Sequence, residues 1–306
     1  MVISYPFIPL PRLILLLTVS MLAVFAAPTP ASAETCEVIV VKSAELKPHQ
    51  DVLRGFKDVS ACTVREVRLK DGEGVEKLRK KRPDLVFVIG ATAFRKVHSL
   101  KDLPVVYALV VLPDSERALS PNVSGVNMEV PPAAYLSAMK EVFPVTKRVG
   151  LLYDPKNTQS YVDKAARTFS EGGVELAAVS MSDNAGFAST LKDLRSKIDI
   201  LWMLPDPSVV TPETVEYLLR FSIQHDLPIF TFSKKYVEIG AVASIDVDPY
   251  DMGAQAAEIA DKIIAGQKEP VRVSPRTTHL SISMKAANKM GIKIKDEPAR
   301  KVNNVE

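Results

Sequence analysis

From Glu37 onward, short apolar runs rich in β-branched residues alternate with segments of helical period. Val38–Val41 is a continuous apolar run, the pattern of a strand covered on both faces. Leu46–Val59 follows as a helix with Val52, Leu53 and Phe56 on one face. Val64–Leu69 alternates as the next strand, Val75–Lys81 reads as a basic amphipathic helix, and Asp84–Ile89 is a second buried strand ending at Gly90. After a short helical piece come two further strands, Val105–Val111 and, past a proline-containing loop, Val123–Met128. This strand, helix, strand rhythm predicts a parallel, doubly wound sheet.

The rhythm then restarts. Pro131 and Pro132 open a helix running through Phe143, followed by alternating strands and helices: Arg148–Tyr153, Thr158–Glu171, Val174–Ser180, Phe187–Ser196 and Ile200–Leu204. Thr211–His225 is the next helix, Pro228–Phe232 and Ala241–Val247 are strands, and Pro249–Ala265 is a long helix. The expected fold class is therefore α/β, with two doubly wound parallel-sheet lobes joined by a hinge and a boundary near Glu129. The expected division places 34–128 in an N-terminal lobe together with 247–275, and 129–246 in a C-terminal lobe together with 276–294. A strand at Leu280–Ser283 is expected in the second lobe, and 295–306 is expected to be a frayed polar tail.

Residues 1–33 read as a processing signal, and this changes the compartment. Arg12 precedes an apolar stretch from Leu13 to Ala27, and Ala31-Ser32-Ala33 has the small-x-small pattern of a cleavage site, so the mature chain is expected to begin near Glu34. A periplasmic location follows as an expectation. There the two cysteines, Cys36 and Cys62, form a natural pair, because each immediately precedes a strand and parallel neighbouring strands start side by side. The formal charge of +3 comes from interspersed Lys, Arg, Asp and Glu without a one-sided basic stripe, so nucleic acid is not an expected partner.

Five segments in order then resemble one family. Val149-Gly150-Leu151-Leu152-Tyr153-Asp154-Pro155 with Asn157, and Ile198-Asp199-Ile200-Leu201-Trp202-Met203-Leu204-Pro205-Asp206, are the first two. Leu227-Pro228-Ile229-Phe230, Gly240 through Asp246, and Tyr250-Asp251-Met252-Gly253 complete the series. They are similar to the ABC transporter substrate-binding protein family of the tryptophan/tyrosine-binding type, well over Val123–Ile292 and more loosely in the first half. The resemblance implies a type I periplasmic binding fold, a solute held between two lobes, and the permease subunits of an inner-membrane ABC importer as partners. The family's small, polar loop after the strand at Val105–Val111 is here Tyr107-Ala108-Leu109-Val110-Val111-Leu112-Pro113-Asp114, which makes the expected pocket more apolar. An aromatic or branched apolar molecule with one polar end fits such a pocket, whereas an amino acid is what the resemblance suggests.

In open parallel sheets a ligand sits outside the carboxyl ends of the strands, where helix N-termini and loop amides converge. The residues just past each strand are thus candidates: Ser43 and Glu45, Thr92 after Gly90, and Tyr107 within the next strand. From the second half come Asp154 and Asn157, then Asp206, then Phe232 with Ser233, and Asp246 beside the expected hinge. Asp154-Pro155 and Asp206-Pro207 serve equally well as turn chemistry, and Thr158 and Thr211 as helix caps. Packing is the commoner use of a strand tyrosine such as Tyr107.

No enzyme is expected. His49, His98, His225 and His279 lack metal-ligand spacing, and no GxSxG, HExxH or GxxxxGK[ST] motif is present. No cofactor is expected either. A sensory module of the same fold, signalling to a membrane receptor or kinase, is the alternative, since transport and sensing share one cleft closure.

Overall fold

The computed structural model describes residues 36–68, 74–112, 119–181 and 186–294 and the backbone of 301–303. The expected signal at 1–33 lies outside the described residues. The continuous apolar runs do become central strands. A six-stranded sheet is built from β1 (Glu37–Lys42), β2 (Thr63–Glu66), β3 (Leu85–Ile89), β4 (Val105–Val110), β5 (Val123–Asn127) and β11 (Arg272–Val273), in the order β11-β5-β4-β3-β1-β2. All of its pairs are parallel.

Both faces are covered, which is why β3 reads Leu-Val-Phe-Val-Ile without a polar residue and is buried throughout. One core joins it to α1 (Lys47–Val59) and α9 (Pro249–Ile264) through Phe56, Phe87 and Met252. The other joins it to α2 (Gly74–Lys81) and α3 (Ala91–Val97) through Leu78, Phe94 and Val97. The disulfide between Cys36 and Cys62 ties the amino ends of β1 and β2, whose register pairs Glu37 with Thr63.

The second sheet has seven strands, ordered β13-β12-β10-β9-β8-β6-β7. They are β6 (Arg148–Tyr153), β7 (Glu175–Ser180), β8 (Ile200–Trp202), β9 (Ile229–Thr231), β10 (Ala243–Val247), β12 (Thr277–Ile282) and β13 (Lys301–Asn303). The central pairs are parallel, whereas β12 runs antiparallel to β10 and to β13. On one face α4 (Pro132–Val142), α5 (Pro155–Glu171) and α10 (Met284–Lys289) enclose an aromatic core around Trp202, Phe169 and Phe230. On the other lie α6 (Phe187–Arg195), α7 (Pro212–His225) and α8 (Lys234–Glu238). The arrangement is an α/β pair of doubly wound sheets.

The chain passes between the sheets three times: between β5 and α4, between β10 and α9, and between β11 and β12. Several boundaries differ from the expected ones. Helix α5 starts at Pro155 rather than Thr158, because Asp154 caps it by accepting from the Lys156 amide and proline suits the first turn. Strand β12 starts at Thr277 rather than Leu280, its two threonines being buried in the ladder. Residues 301–303, expected to fray, pair with β12 instead.

Candidate functional site

A cavity of about 210 Å³ opens between the two sheets beside the first of these passages. The first lobe contributes an apolar wall from Val110, Val111, Leu112, Leu119 and Met128, together with Tyr107 and Asn127. The crossing segment contributes Glu129 and Val130, and the second lobe Tyr135, Asn157, Thr158, Tyr161, Leu204 and Pro205. Arg272 of β11 closes the rim.

Each polar group is held by its own element. Tyr107 is fully buried on β4, with its ring laid across Gly125 of β5; a Cβ there would stand 2.6 Å from the ring carbons and 2.4 Å from the Tyr107 carbonyl oxygen. Its hydroxyl donates to Asn127 Oδ1. Tyr161, on α5, donates to the carbonyl of Val130 at 2.8 Å, fastening the second lobe to the crossing segment. Burial pushes the Tyr135 phenol well above its ordinary range, and the charge of Asp246 adds to this. Burial does the same for Tyr161, so both remain protonated donors at neutral pH. Glu129 lies 3.9 Å from Lys164 Nζ.

Behind Asn157 and Thr158 stands Asp206, which is wholly buried. Its Oδ1 accepts from Asn157 Nδ2 at 2.8 Å and from the Ser208 amide at 3.0 Å. Its Oδ2 accepts from the Asp154 amide at 2.9 Å and from Thr158 Oγ1 at 2.8 Å. With four donors satisfied within the fold, Asp206 shapes the loop after β8 and orients Asn157 and Thr158.

Of the residues picked out from the sequence, the structure brings Tyr107 and Asn157 to the cavity and sets Asp154 and Asp206 directly behind it. The others lie elsewhere along the carboxyl ends of the strands. Ser43 Oγ accepts from the Ala93 amide at 2.9 Å, linking β1 to the start of α3, where Thr92 is exposed. Glu45 is exposed and paired with Lys42 at 2.9 Å. Phe232 is half-buried between the two cores of the second lobe. Asp246 accepts from the Lys234 amide and, at 2.6 Å, from Ser244 Oγ, and it also bonds Ser233.

Sequence reasoning missed Asn127, Glu129, Tyr135, Tyr161 and Arg272. The first two lie at and just past the end of the apolar run of β5 and were open to the same rule that picked out Ser43. Tyr135 and Tyr161 lie on apolar helix faces, where a cavity wall and a core have the same signature.

A model of the ABC transporter substrate binding protein family matches residues 72–305. The chain belongs to that family. This substrate-binding protein is 22% identical over 195 residues to the tyrosine-binding protein of Clostridioides difficile; the match takes in 61% of the chain and 56% of that relative, little more than half its length.

Solved structures agree on the fold, which is that of type I periplasmic binding proteins. A conserved domain protein from Vibrio cholerae superposes with a TM-score of 0.61 at 22% identity, covering 86% of this chain and 96% of that one. The ABC domain in complex with L-Trp from Streptococcus pneumoniae gives 0.59 at 20% identity, with coverage of 86% and 96%. A ligand-free, open substrate binding protein with adhesive properties from Clostridium difficile gives 0.66 at 18% identity, with coverage of 85% and 96%.

Proposed function

We propose that this protein is the periplasmic solute-binding component of an ABC importer, taking up a small solute in the cavity between its lobes and passing it to inner-membrane permease subunits. The observation that carries this reading is the division of the cavity into an apolar wall on the first lobe and a polar end at Glu129, Asn157, Thr158 and Tyr135. An amphipathic solute matches that division: an aromatic or large apolar body, with an amine or other polar group at one end. The tyrosine-binding relative and the neighbour in complex with L-Trp favour an aromatic amino acid.

In this reading residues 1–33 direct export and are removed, 34–128 with 247–275 act as one lobe, and 129–246 with 276–294 act as the other. The three passages between the sheets are the hinge. Closure would carry Ser43, Glu45 and Thr92 of the first lobe toward the second. Asn157 contacts the solute directly and Tyr107 backs the cavity wall, whereas Asp154, Asp206, Phe232, Ser233 and Asp246 support the second-lobe rim.

The test is a thermal-shift screen of the mature protein from Glu34 against amino acids, aromatic acids, nucleosides and peptides, since a ligand selective for the folded state raises the melting temperature. Trp202 gives a second readout, because its ring lies 4.8 Å from that of Tyr135, which lines the cavity. A hit lost in Asn157→Ala and Glu129→Ala supports the reading; a hit retained in both puts the solute elsewhere and sinks it.

A further inference from the structure

Strand β4 is irregular where it meets the cavity. Tyr107 pairs with Gly125 and the next pair is Val110 with Asn127, so Ala108 and Leu109 together face Val126 alone. One extra residue has been inserted, and Leu109 takes a φ of +54°, a left-handed conformation that residues with a Cβ seldom adopt. Because side chains alternate along a strand, a one-residue insertion exchanges the face of the residue that ends β4, Val110. Val110 and the two residues that leave the strand after it, Val111 and Leu112, line the cavity, with Val111 left 37% exposed.

Two polar groups flank this wall, and neither points its donor at Val111 or Leu112. The Tyr107 hydroxyl is spent on Asn127. Arg272 turns its guanidinium to the carbonyls of Leu119 at 3.4 Å, Ser120 at 3.2 Å and Val123 at 3.2 Å. A solute whose polar end lies at Glu129 and Asn157 therefore presents its far end to an apolar surface.

We propose that the bulge in β4 makes this wall a hydroxyl-excluding subsite, so that the protein selects solutes with an unhydroxylated aromatic body over their hydroxylated counterparts. The inference rests on the cavity being the solute site. A hydroxyl pressed against Val111 and Leu112 loses its water and gains no partner, which weakens binding about tenfold or more.

Calorimetric titration of the mature protein with three matched pairs tests this: phenylalanine and tyrosine, phenethylamine and tyramine, phenylacetate and 4-hydroxyphenylacetate. In every pair that binds, the unhydroxylated member is expected to bind about tenfold tighter or more. Val111→Thr, nearly isosteric and at a part-exposed position, is expected to narrow that ratio. Equal or tighter binding of the hydroxylated members overturns the subsite while leaving the solute-binding reading intact. Binding of none of the six overturns the aromatic-solute reading itself, and the subsite with it.

Discussion

Asn157, in the first turn of α5, donates its Nδ2 to Asp206 Oδ1 at 2.8 Å, so a side chain of the cavity is fixed by a carboxylate belonging to a different loop. Asp206 takes three further donors and is wholly buried, so removing it leaves two buried donors, the Asp154 amide and the Thr158 hydroxyl, without their acceptor and loosens the part-buried Asn157 and Ser208. Each buried donor left without a partner costs about 1–3 kcal/mol. Asp206→Ala is expected to lower the stability of the unliganded protein by about 3 kcal/mol or more, measured by urea unfolding. A variant of unchanged stability that had merely lost its solute would instead make Asp206 a direct ligand.

Gly125 leaves room for the Tyr107 ring. A methyl group there meets ring carbons at 2.6 Å and backbone oxygen at 2.4 Å, and the backbone oxygen cannot step aside. Overpacking of this kind costs about 1–3 kcal/mol. Gly125→Ala is expected to lower the melting temperature and to weaken solute binding together, because relieving the clash moves Tyr107 against the cavity. Full binding by a destabilised variant would show that the ring's position does not matter to the site.

The parts of the fold that can be read from the chain are those where local pattern and tertiary context agree. Val38–Val41 and Leu85–Ile89 show as strands because both faces of their sheet are covered, and the pairing of Cys36 with Cys62 follows from their places before adjacent parallel strands. Thr277 and Thr278 escape the strand pattern of β12 because polar residues buried in a ladder look like loop. Glu129 reads only as a boundary, since a position on a crossing segment becomes a site through the approach of two distant lobes. Tyr135 and Tyr161 face core and cavity at once, and apolar periodicity does not distinguish the two. Asp206 has the reverse ambiguity: its place after a strand suggests a ligand contact, and its four internal bonds show a support.

The disulfide closes a loop whose ends are 26 residues apart in sequence. On the loop-entropy account, cross-linking over that span stabilises the fold by about 3 kcal/mol. Reduction, or Cys36→Ser with Cys62→Ser, is expected to lower the melting temperature by roughly 5–10 °C, with solute affinity preserved. Calorimetric scans with and without reductant check this. A melting temperature indifferent to reductant would mean that the β1 and β2 ends are already held by packing.

Asp246 gives a prediction in pH. Burial raises its carboxyl above the ordinary 3.8, against the opposing pull of Ser244, the Lys234 amide, His279 and Ser233, while Tyr135 faces it from α4. The unfolded chain releases this proton near the ordinary value, whereas the folded chain keeps it to higher pH. Between the two values the native state binds more protons, so stability falls as pH rises. This contribution is complete below the ordinary value and is lost once pH passes the raised one. Asp246→Asn keeps an acceptor for the Lys234 amide but cannot ionise, so its stability is expected to vary less with pH across that window than the parent's. Denaturant midpoints for parent and variant, taken from below the ordinary carboxylate range up to neutrality, decide the matter: parallel curves would mean that Asp246 ionises alike in the folded and unfolded chains.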